Sequence, residues 1–423
     1  MNKYNEIFEK LKKYNQTHLL NFYNELTCDE QEELLSDIEN TDFEEITNIF
    51  NSNEQDHTFL IEKEDNNSTN YIIEQMETID KYNLTESEKE NYNKLGQELI
   101  KNNKVAVCTM AGGQGSRLGH NGPKGTYLVP LTEPKSIFQI DTEKMLETYE
   151  KYGVYINWYI MTSEENDKTT KEYFEENNYF GYSKEHIKFF KQGQLPLTDF
   201  DGNILLQSKS KIFKAANGNG GIFKALADNG IIEELKNKGI EYLVTCNVDN
   251  ILIKPIDEIM FGVLKEKNVG IGIKSIIKRS PDEPVGVCCL KNKKPTVIEY
   301  IDLPKELAEA RNDDGSLKFG EAHFGCNYLN VKLLDKIAEE KLPYHSAKKK
   351  NKYIDVNGEF INNNEINSIK SEMFIFDGFE MAEKAIAFRT KREEEFAPIK
   401  NKEGNDSPET AVKMYEEYYK TKK

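Results

Sequence analysis

From residue 104 onward the sequence predicts an α/β fold, and three observations carry that expectation. Short runs rich in branched and aromatic residues alternate with longer stretches of helical periodicity. The first of these runs ends in a glycine-dense loop, at the place where open α/β sheets bind ligands. The 98 residues ahead of it are polar and helical in pattern, so the sheet begins only after them.

Residues 1–98 are rich in Asn, Glu and Lys, with apolar residues such as Ile7, Phe8 and Leu11 at helical spacing. Thr27-Cys-Asp-Glu30 and Thr85-Glu-Ser-Glu88 have the capping-box pattern and mark helix starts. Residues 51–70 are mostly polar and read as a loop. The expected role of this region is a supporting or partner-binding appendage. Strands are expected at 105–110, 154–161, 187–190, 242–248, 269–277, 285–290 and 324–331, with helices at 136–152, 164–178 and 221–238. Alternation of this kind indicates a parallel sheet covered on both faces. After residue 280 the strands crowd together, predicting an antiparallel or mixed extension able to wall a substrate pocket. The last ~30 residues are charged and helical, and no internal repeat is present. The resulting division is 1–98, a helical N-terminal region; 99–390, the α/β domain; and 391–423, a short C-terminal region.

Composition excludes several classes. A net charge of −17 over 423 residues leaves no basic stripe for a nucleic-acid backbone. A small polyanion remains admissible where local lysines and arginines outweigh that field. The cysteines at 28, 108, 246, 288, 289 and 326 are scattered, without Cys-x-x-Cys spacing, which fits reduced thiols in the cytoplasm. The N-terminus carries no apolar signal segment, and no run approaches the ~20 apolar residues of a membrane span. The expectation is a soluble cytoplasmic protein, a monomer rather than an oligomer.

Residues 111–125 read Ala-Gly-Gly-Gln-Gly-Ser-Arg-Leu-Gly-His-Asn-Gly-Pro-Lys-Gly. Glycines free the backbone N–H groups to close on an anion, while Arg117 and Lys124 add positive charge. The loop is not a dinucleotide fingerprint, because Leu118 stands where the third glycine belongs. Nor is it a Walker loop, since Lys124 precedes its glycine and no Gly-Lys-Ser/Thr follows. Five more patterns follow in order: Gln192-Gly-Gln-Leu-Pro196; Asn217-Gly-Asn-Gly-Gly221; Asn247-Val-Asp-Asn250 at a strand end; Glu283-Pro-Val-Gly286 with Val297-Ile-Glu299-Tyr300; and the lysines Lys370 and Lys400. Singly these are turns, caps and surface charges. Together, behind the glycine loop, they form a pattern.

That pattern resembles the eukaryotic UDP-N-acetylglucosamine pyrophosphorylases, within the wider family of UDP-sugar pyrophosphorylases. The resemblance covers roughly residues 90–400 and rests on the motifs above together with Pro123-Lys124-Gly125, Val248-Asp-Asn-Ile-Leu252, Phe374-Ile-Phe-Asp377 and Arg392-Glu-Glu-Glu-Phe-Ala-Pro-Ile-Lys400. It implies a Rossmann-like nucleotidyltransferase domain with a mixed central sheet. The implied reaction joins UTP and N-acetylglucosamine 1-phosphate into UDP-N-acetylglucosamine and pyrophosphate. The sugar phosphate oxygen is already ionised, so no general base is needed, in keeping with the absence of a Ser-His-Asp or Cys-His order.

Residue by residue, the resemblance implies that Met110, Ala111, Gly112 and Gly113 cradle the triphosphate. Arg117 would hold the departing pyrophosphate, with Lys124 and Lys400 on opposite sides of the α-phosphorus. Asp249 would hold Mg2+, for which Mn2+ could substitute. Gln192 and the backbone of Gly218 would read uracil, with Asn247 and Lys370 as further nucleotide-contacting positions. Asn219, Gly286 and Glu299 would face the sugar, and Phe374 and Phe376 would form the wall against its acetamido methyl. Relatives read Gly-Asn-Ile-Ala-Asn-His where this chain has Gly320-Glu-Ala-His-Phe-Gly-Cys-Asn327, so His323 or Asn327 takes the place of a displaced asparagine. The chain after Lys400 is also shorter than the C-terminal domain of those relatives. The rival readings are a UTP–glucose-1-phosphate uridylyltransferase or broad UDP-sugar pyrophosphorylase, a glycosyltransferase, and a non-catalytic nucleotide-sugar sensor. The glycosyltransferase would need Asp-x-Asp where Asn247-Val-Asp249 stands, and the sensor would have no use for Arg117, Lys124 and Asp249 together.

Overall fold

The computed structural model describes residues 3–61 and 71–421. The chain forms two compact units, both discontinuous in sequence. The larger comprises Asn70–Gln192, Ile222–Lys341 and Ile375–Lys423, and the smaller Met1–Thr69, Gly193–Gly221 and Leu342–Phe374.

The larger unit is a mixed α/β structure around an 11-stranded sheet. Its main path runs Thr78–Asp80, Ala385–Arg389, Ile271–Ile277, Glu321–Asn330, Tyr242–Asn247, Val105–Met110, Asn157–Thr162, Ile187–Lys191. Neighbours are parallel except at Glu321–Asn330, which is antiparallel to both strands beside it. Every residue of Val105–Met110 and Asn157–Thr162 is buried, which is why these segments read as continuous apolar runs rather than alternating ones. The hairpin Val287–Lys291 and Lys294–Ile298, edged by Ile73–Gln75, is the antiparallel extension expected after residue 280.

Helices cover the sheet. Glu86–Lys101 and Glu258–Glu266 approach so closely that a methyl at Gly96 would strike the Glu258 main chain, and one at Gly262 that of Tyr92. The single helix expected over 221–238 is two, Ile222–Asp228 and Ile231–Asn237, because Gly230 adopts a φ of 66° and breaks the run. The C-terminal helix Pro408–Thr421 buries Ala411 and packs Val412, Met414 and Tyr415 on the main core. Residues 391–423 are therefore part of the sheet-bearing unit and not a region apart.

The smaller unit joins helices Lys3–Lys13, Cys28–Glu39 and Phe43–Ile61 to a strand pair from mid-chain. Leu11, Leu34, Ile38 and Phe43 share one core with Ile204, Leu206 and Ile212. Asp37 pairs with Lys214 at 2.6 Å and accepts from the Ile212 N–H at 3.1 Å. Strand Ser368–Glu372 pairs antiparallel with His345–Lys349.

Both capping boxes form as the sequence predicts, at Thr27 and Thr85, each contributing ~1 kcal/mol. Two other expectations for the N-terminal region change. Residues 1–98 are not all helical, since Ile73–Gln75 and Thr78–Asp80 join the central sheet of the larger unit. The expected loop at 51–70 is helix as far as Ile61, capped by the Asp42 carboxylate on the Glu45 N–H at 2.9 Å, and residues 62–70 lie outside the described residues. The polar composition of this stretch concealed that helix. Among the described residues no helix is long and apolar enough to cross a membrane.

Candidate active site

In the larger unit three of the predicted residues stand at the carboxyl ends of its parallel strands. Met110 ends Val105–Met110 and pairs with Asn247, the last residue of Tyr242–Asn247. Gln192 follows strand Ile187–Lys191, and its N–H donates to the Thr162 carbonyl at 2.8 Å. Three strand ends thus place Met110, Asn247 and Gln192 along one edge, because parallel strands share a direction.

The glycine loop closes on itself. The Lys124 N–H donates to the Gly113 carbonyl at 3.0 Å and the Gly115 N–H to Gly122 at 2.9 Å, with a bridge between Gln114 and Pro123. Its base is held by Asn166, a fully buried residue absent from the sequence-derived set. The Asn166 amide donates to the Ala111 carbonyl at 3.0 Å, and its carbonyl oxygen accepts from the Ser163 N–H at 2.8 Å. The available signal was an Asn-Asp pair opening a helical run, a capping pattern. Gly112 lies against the Gln192 side-chain amide, which a Cβ there would displace. At Gly113 nothing lies within 4 Å of an added Cβ, so this part of the loop is open. Arg117 is exposed on the short turn Ser116–Leu118.

Lys124 and Asp249 meet at 3.3 Å, both largely buried at 15% and 17% side-chain exposure. Asp249 also accepts, through its carbonyl, the Ile399 N–H at 2.8 Å. Lys400 therefore starts one residue from a direct contact with the Asp249 main chain. Its ammonium lies 3.8 Å from Asp406 and remains half-exposed. Behind it Lys274 is fully buried and bonds Glu395 at 2.6 Å and Asp257 at 3.3 Å, with Lys81 on Asp257 at 2.7 Å. Burial alone would depress the Lys274 ammonium, but the two carboxylates hold its pKa above the ordinary value. Burial likewise opposes ionisation of Asp257, and Lys274 and Lys81 overcome it, keeping the carboxyl well below its usual range.

A second cluster in the same unit surrounds His323. The Nε2 of His323 donates to the Asn327 side-chain oxygen at 2.9 Å, and the His323 N–H donates to the Gly286 carbonyl at 2.9 Å. His323 and Asn327, the two candidates for the displaced asparagine, are thus hydrogen-bonded to each other. Gly325, at a φ of 82°, bulges the strand between them and lies against the Asn247 side chain. Phe376 meets the His323 ring edge-on at 6.4 Å, and Glu299 approaches Gly286, where a Cβ would lie 3.4 Å from its Oε1. Burial, with the nearby Lys400 charge, pushes the His323 pKa down to about 4, so the ring is neutral at pH 7.

The remaining predicted residues belong to the smaller unit. Gly218, at a φ of 88°, and Gly220 fit tightly against the main chain of Met373 and Phe374, and Asn219 lies between them. The Met373 N–H donates to the Asn217 carbonyl at 2.8 Å, and the Gly220 N–H to Met373 at 2.9 Å. Lys370 pairs with Glu372 at 2.8 Å, and Phe374 stacks on His345 at 4.5 Å. Phe374 and Phe376, expected as one wall, fall in different units.

Fold and site define a mixed α/β protein whose charged groups gather at the carboxyl edge of its sheet. The sequence pattern of the UTP–glucose-1-phosphate uridylyltransferase family matches residues 42–409. UDP-N-acetylhexosamine pyrophosphorylase-like protein 1 of Xenopus tropicalis is 39% identical over 335 residues, 77% of this chain and 66% of its own length. The UDP-N-acetylglucosamine pyrophosphorylase of Saccharomyces cerevisiae is 41% identical over 342 residues, 78% of this chain and 72% of its own. The crystal structure of the uridine diphosphate N-acetylglucosamine pyrophosphorylase of Trypanosoma brucei superposes with a TM-score of 0.80 at 27% identity, covering 98% of this chain and 84% of that one. This chain belongs to the UTP–glucose-1-phosphate uridylyltransferase family.

Proposed function

We propose that the chain is a nucleotidyltransferase that makes UDP-N-acetylglucosamine and pyrophosphate from UTP and N-acetylglucosamine 1-phosphate. The observation that carries this reading is the convergence of Lys124, Asp249 and the Lys400 segment beside an open glycine loop. The names of its full-length relatives support the same sugar. The parallel core with its charged edge is read as a Rossmann-like nucleotidyltransferase domain.

The chemistry asks for charge neutralisation rather than proton transfer. Two polyanions must approach at the α-phosphorus while pyrophosphate departs, so positioned cations and backbone N–H groups lower the barrier. Met110 to Gly113 receive the triphosphate, Arg117 the leaving pyrophosphate, and Lys124 and Lys400 flank the phosphorus under attack. Gln192 reads the uracil edge, with Asn247 assigned to the nucleotide. Gly286, Glu299, the His323–Asn327 pair and Phe376 face the sugar in this reading. A neutral His323 donating to Asn327 leaves the pair without a charge that would repel Lys400.

Among the described residues no three His, Cys, Asp or Glu side chains cluster as a metal cage. The carboxylate assigned to the ion, Asp249, already faces a cation in Lys124. A carboxylate fits Mg2+ or Mn2+, hard ions that complete their shell with substrate phosphates and water. When bound, the ion neutralises phosphate charge and helps orient the nucleotide.

Pyrophosphate release from UTP, with N-acetylglucosamine 1-phosphate and glucose 1-phosphate compared side by side, tests the reading. The expected result is a preference of ~10-fold or more for the acetamido sugar, the order a small apolar pocket supplies. Preference for glucose 1-phosphate would replace the proposed substrate, and no turnover with either would dispose of the enzyme itself.

A further inference from the structure

Asn250, beside the proposed metal ligand, has no role in the reaction as described above. It is 1% exposed, and both ends of its amide engage one neighbouring segment. Its Oδ1 accepts from the Ala397 N–H at 2.8 Å, and its Nδ2 donates to the Glu395 carbonyl at 2.7 Å. Oδ1 also accepts from the Leu252 N–H at 3.3 Å, which fixes the amide's orientation. On either side the main chains join directly: Ile399 N–H to Asp249 carbonyl at 2.8 Å, and Ile251 N–H to Ala397 carbonyl at 3.2 Å. Asn250 and Pro398 form the antiparallel bridge between these bonds.

Residues 395–399 are thus laid against 249–251 as a short seam, and Lys400 is the next residue out. Lys274 clamps the start of the seam through Glu395. Arg392, one turn earlier, holds Glu283 at 2.8 Å. A carboxamide suits the centre because it alone offers a donor and an acceptor in fixed geometry. Aspartate would turn a second acceptor toward the Glu395 carbonyl, and alanine would leave both main-chain groups buried without partners.

We propose that Asn250 is a positioning residue for the uridylyl transfer. Its amide grips the main chain of residues 395–397 and so sets where the Lys400 ammonium stands relative to Asp249 and Lys124. The inference rests on the function proposed above and assigns that site a component which touches no substrate.

A double-mutant cycle of Asn250→Ala and Lys400→Ala, assayed with UTP, Mg2+ and N-acetylglucosamine 1-phosphate, separates positioning from simple structural support. Asn250→Ala is expected to lower kcat on the order of 30-fold while KM for UTP changes less than ~3-fold. In a Lys400→Ala background the same substitution should cost less than ~3-fold more, because the group it positions is gone. Asn250→Ser, which keeps an acceptor for the Ala397 N–H, serves if the alanine variant does not fold, and should show the same coupling. Losses that multiply in the double variant, or wild-type kcat in a folded single variant, would overturn the proposal while leaving the function standing. Absence of turnover in the unmodified protein would remove the function, and the proposal with it.

Discussion

Two glycine-rich segments, Ala111 to Gly125 in the larger unit and Asn217 to Gly221 in the smaller, use the same residue for opposite ends. In the first, Gly115 and Gly125 pack on His120 and Phe138, but Gly113 has nothing within 4 Å of an added Cβ, and the segment is tied down by its own main chain and by Asn166. In the second, Gly218 and Gly220 are required by packing against the main chain of Met373 and Phe374, and Gly221 lies against the Asn217 amide. An open loop with two cations is shaped for a charged ligand whose atoms fill the space a Cβ would take. A close-packed run is a rigid rim that offers edges rather than charge. Glycine content alone does not distinguish the two. What surrounds each α-carbon does.

Substitutions at the open positions and cations of the first segment are expected to change rate and affinity, whereas those at the packed run change stability. The largest expected effect is at Lys124. Lys124→Ala should lower turnover on the order of 10³-fold with little change in melting temperature, read by steady-state kinetics beside thermal unfolding. A matching collapse of stability would move Lys124 from the chemistry to the scaffold. Asp249→Asn should cost ~10²-fold or more in rate and weaken the dependence on Mg2+, measured by titrating the metal at fixed UTP. Full activity at ordinary Mg2+ would take Asp249 out of the site.

At the packed run, Gly218→Ala should destabilise by ~2–4 kcal/mol, because an L-residue at that φ is strained and its Cβ meets the Met373 main chain. Denaturant unfolding checks it, and a shift under ~0.5 kcal/mol would mean the rim yields easily. Gln192→Ala is expected to cut the preference for UTP over CTP by ~10–100-fold, equivalent to ~1–3 kcal/mol from lost base-edge bonds. Unchanged discrimination would break its assignment to uracil. The smallest effect is expected at Gly113→Ala, within ~0.5 kcal/mol in stability because the site is open, with the loss appearing in UTP affinity instead. Were Gly113→Ala to destabilise as much as Gly218→Ala, the distinction between the two segments would fail.

Acidification offers a further check on the cluster around His323. His323 has a folded pKa pushed down to about 4, below the ~6.5 of an unfolded chain. Above pH ~6.5 neither state binds that proton, so stability is unaffected there. Below it the unfolded state gains a proton that the folded state refuses, so stability falls from pH ~6.5 down to ~4. His323→Gln should flatten that part of the stability profile, as followed by thermal unfolding across pH.

Much of the sheet was legible because buried parallel strands announce themselves as unbroken apolar runs. Val105–Met110 was placed without error and Tyr242–Asn247 within a residue. Glycine, lysine and aspartate at fixed spacings also marked the edge where charge gathers, since backbone freedom and formal charge are properties of single residues. Other features depend on partners distant in sequence. The edge strand Thr78–Asp80 and its neighbour Ala385–Arg389 are short and gain their structure by pairing, the first with the second and the second also with Ile271–Ile277. Asn166 beneath the glycine loop, Asn250 beside Lys400, and the His323–Asn327 bond look like ordinary polar residues until folding removes their water. The amino acids by themselves determined which groups can carry charge and where the chain can turn. The tertiary structure alone decided which of those groups meet, because a hydrogen bond or ion pair acquires its strength and direction from neighbours that burial supplies.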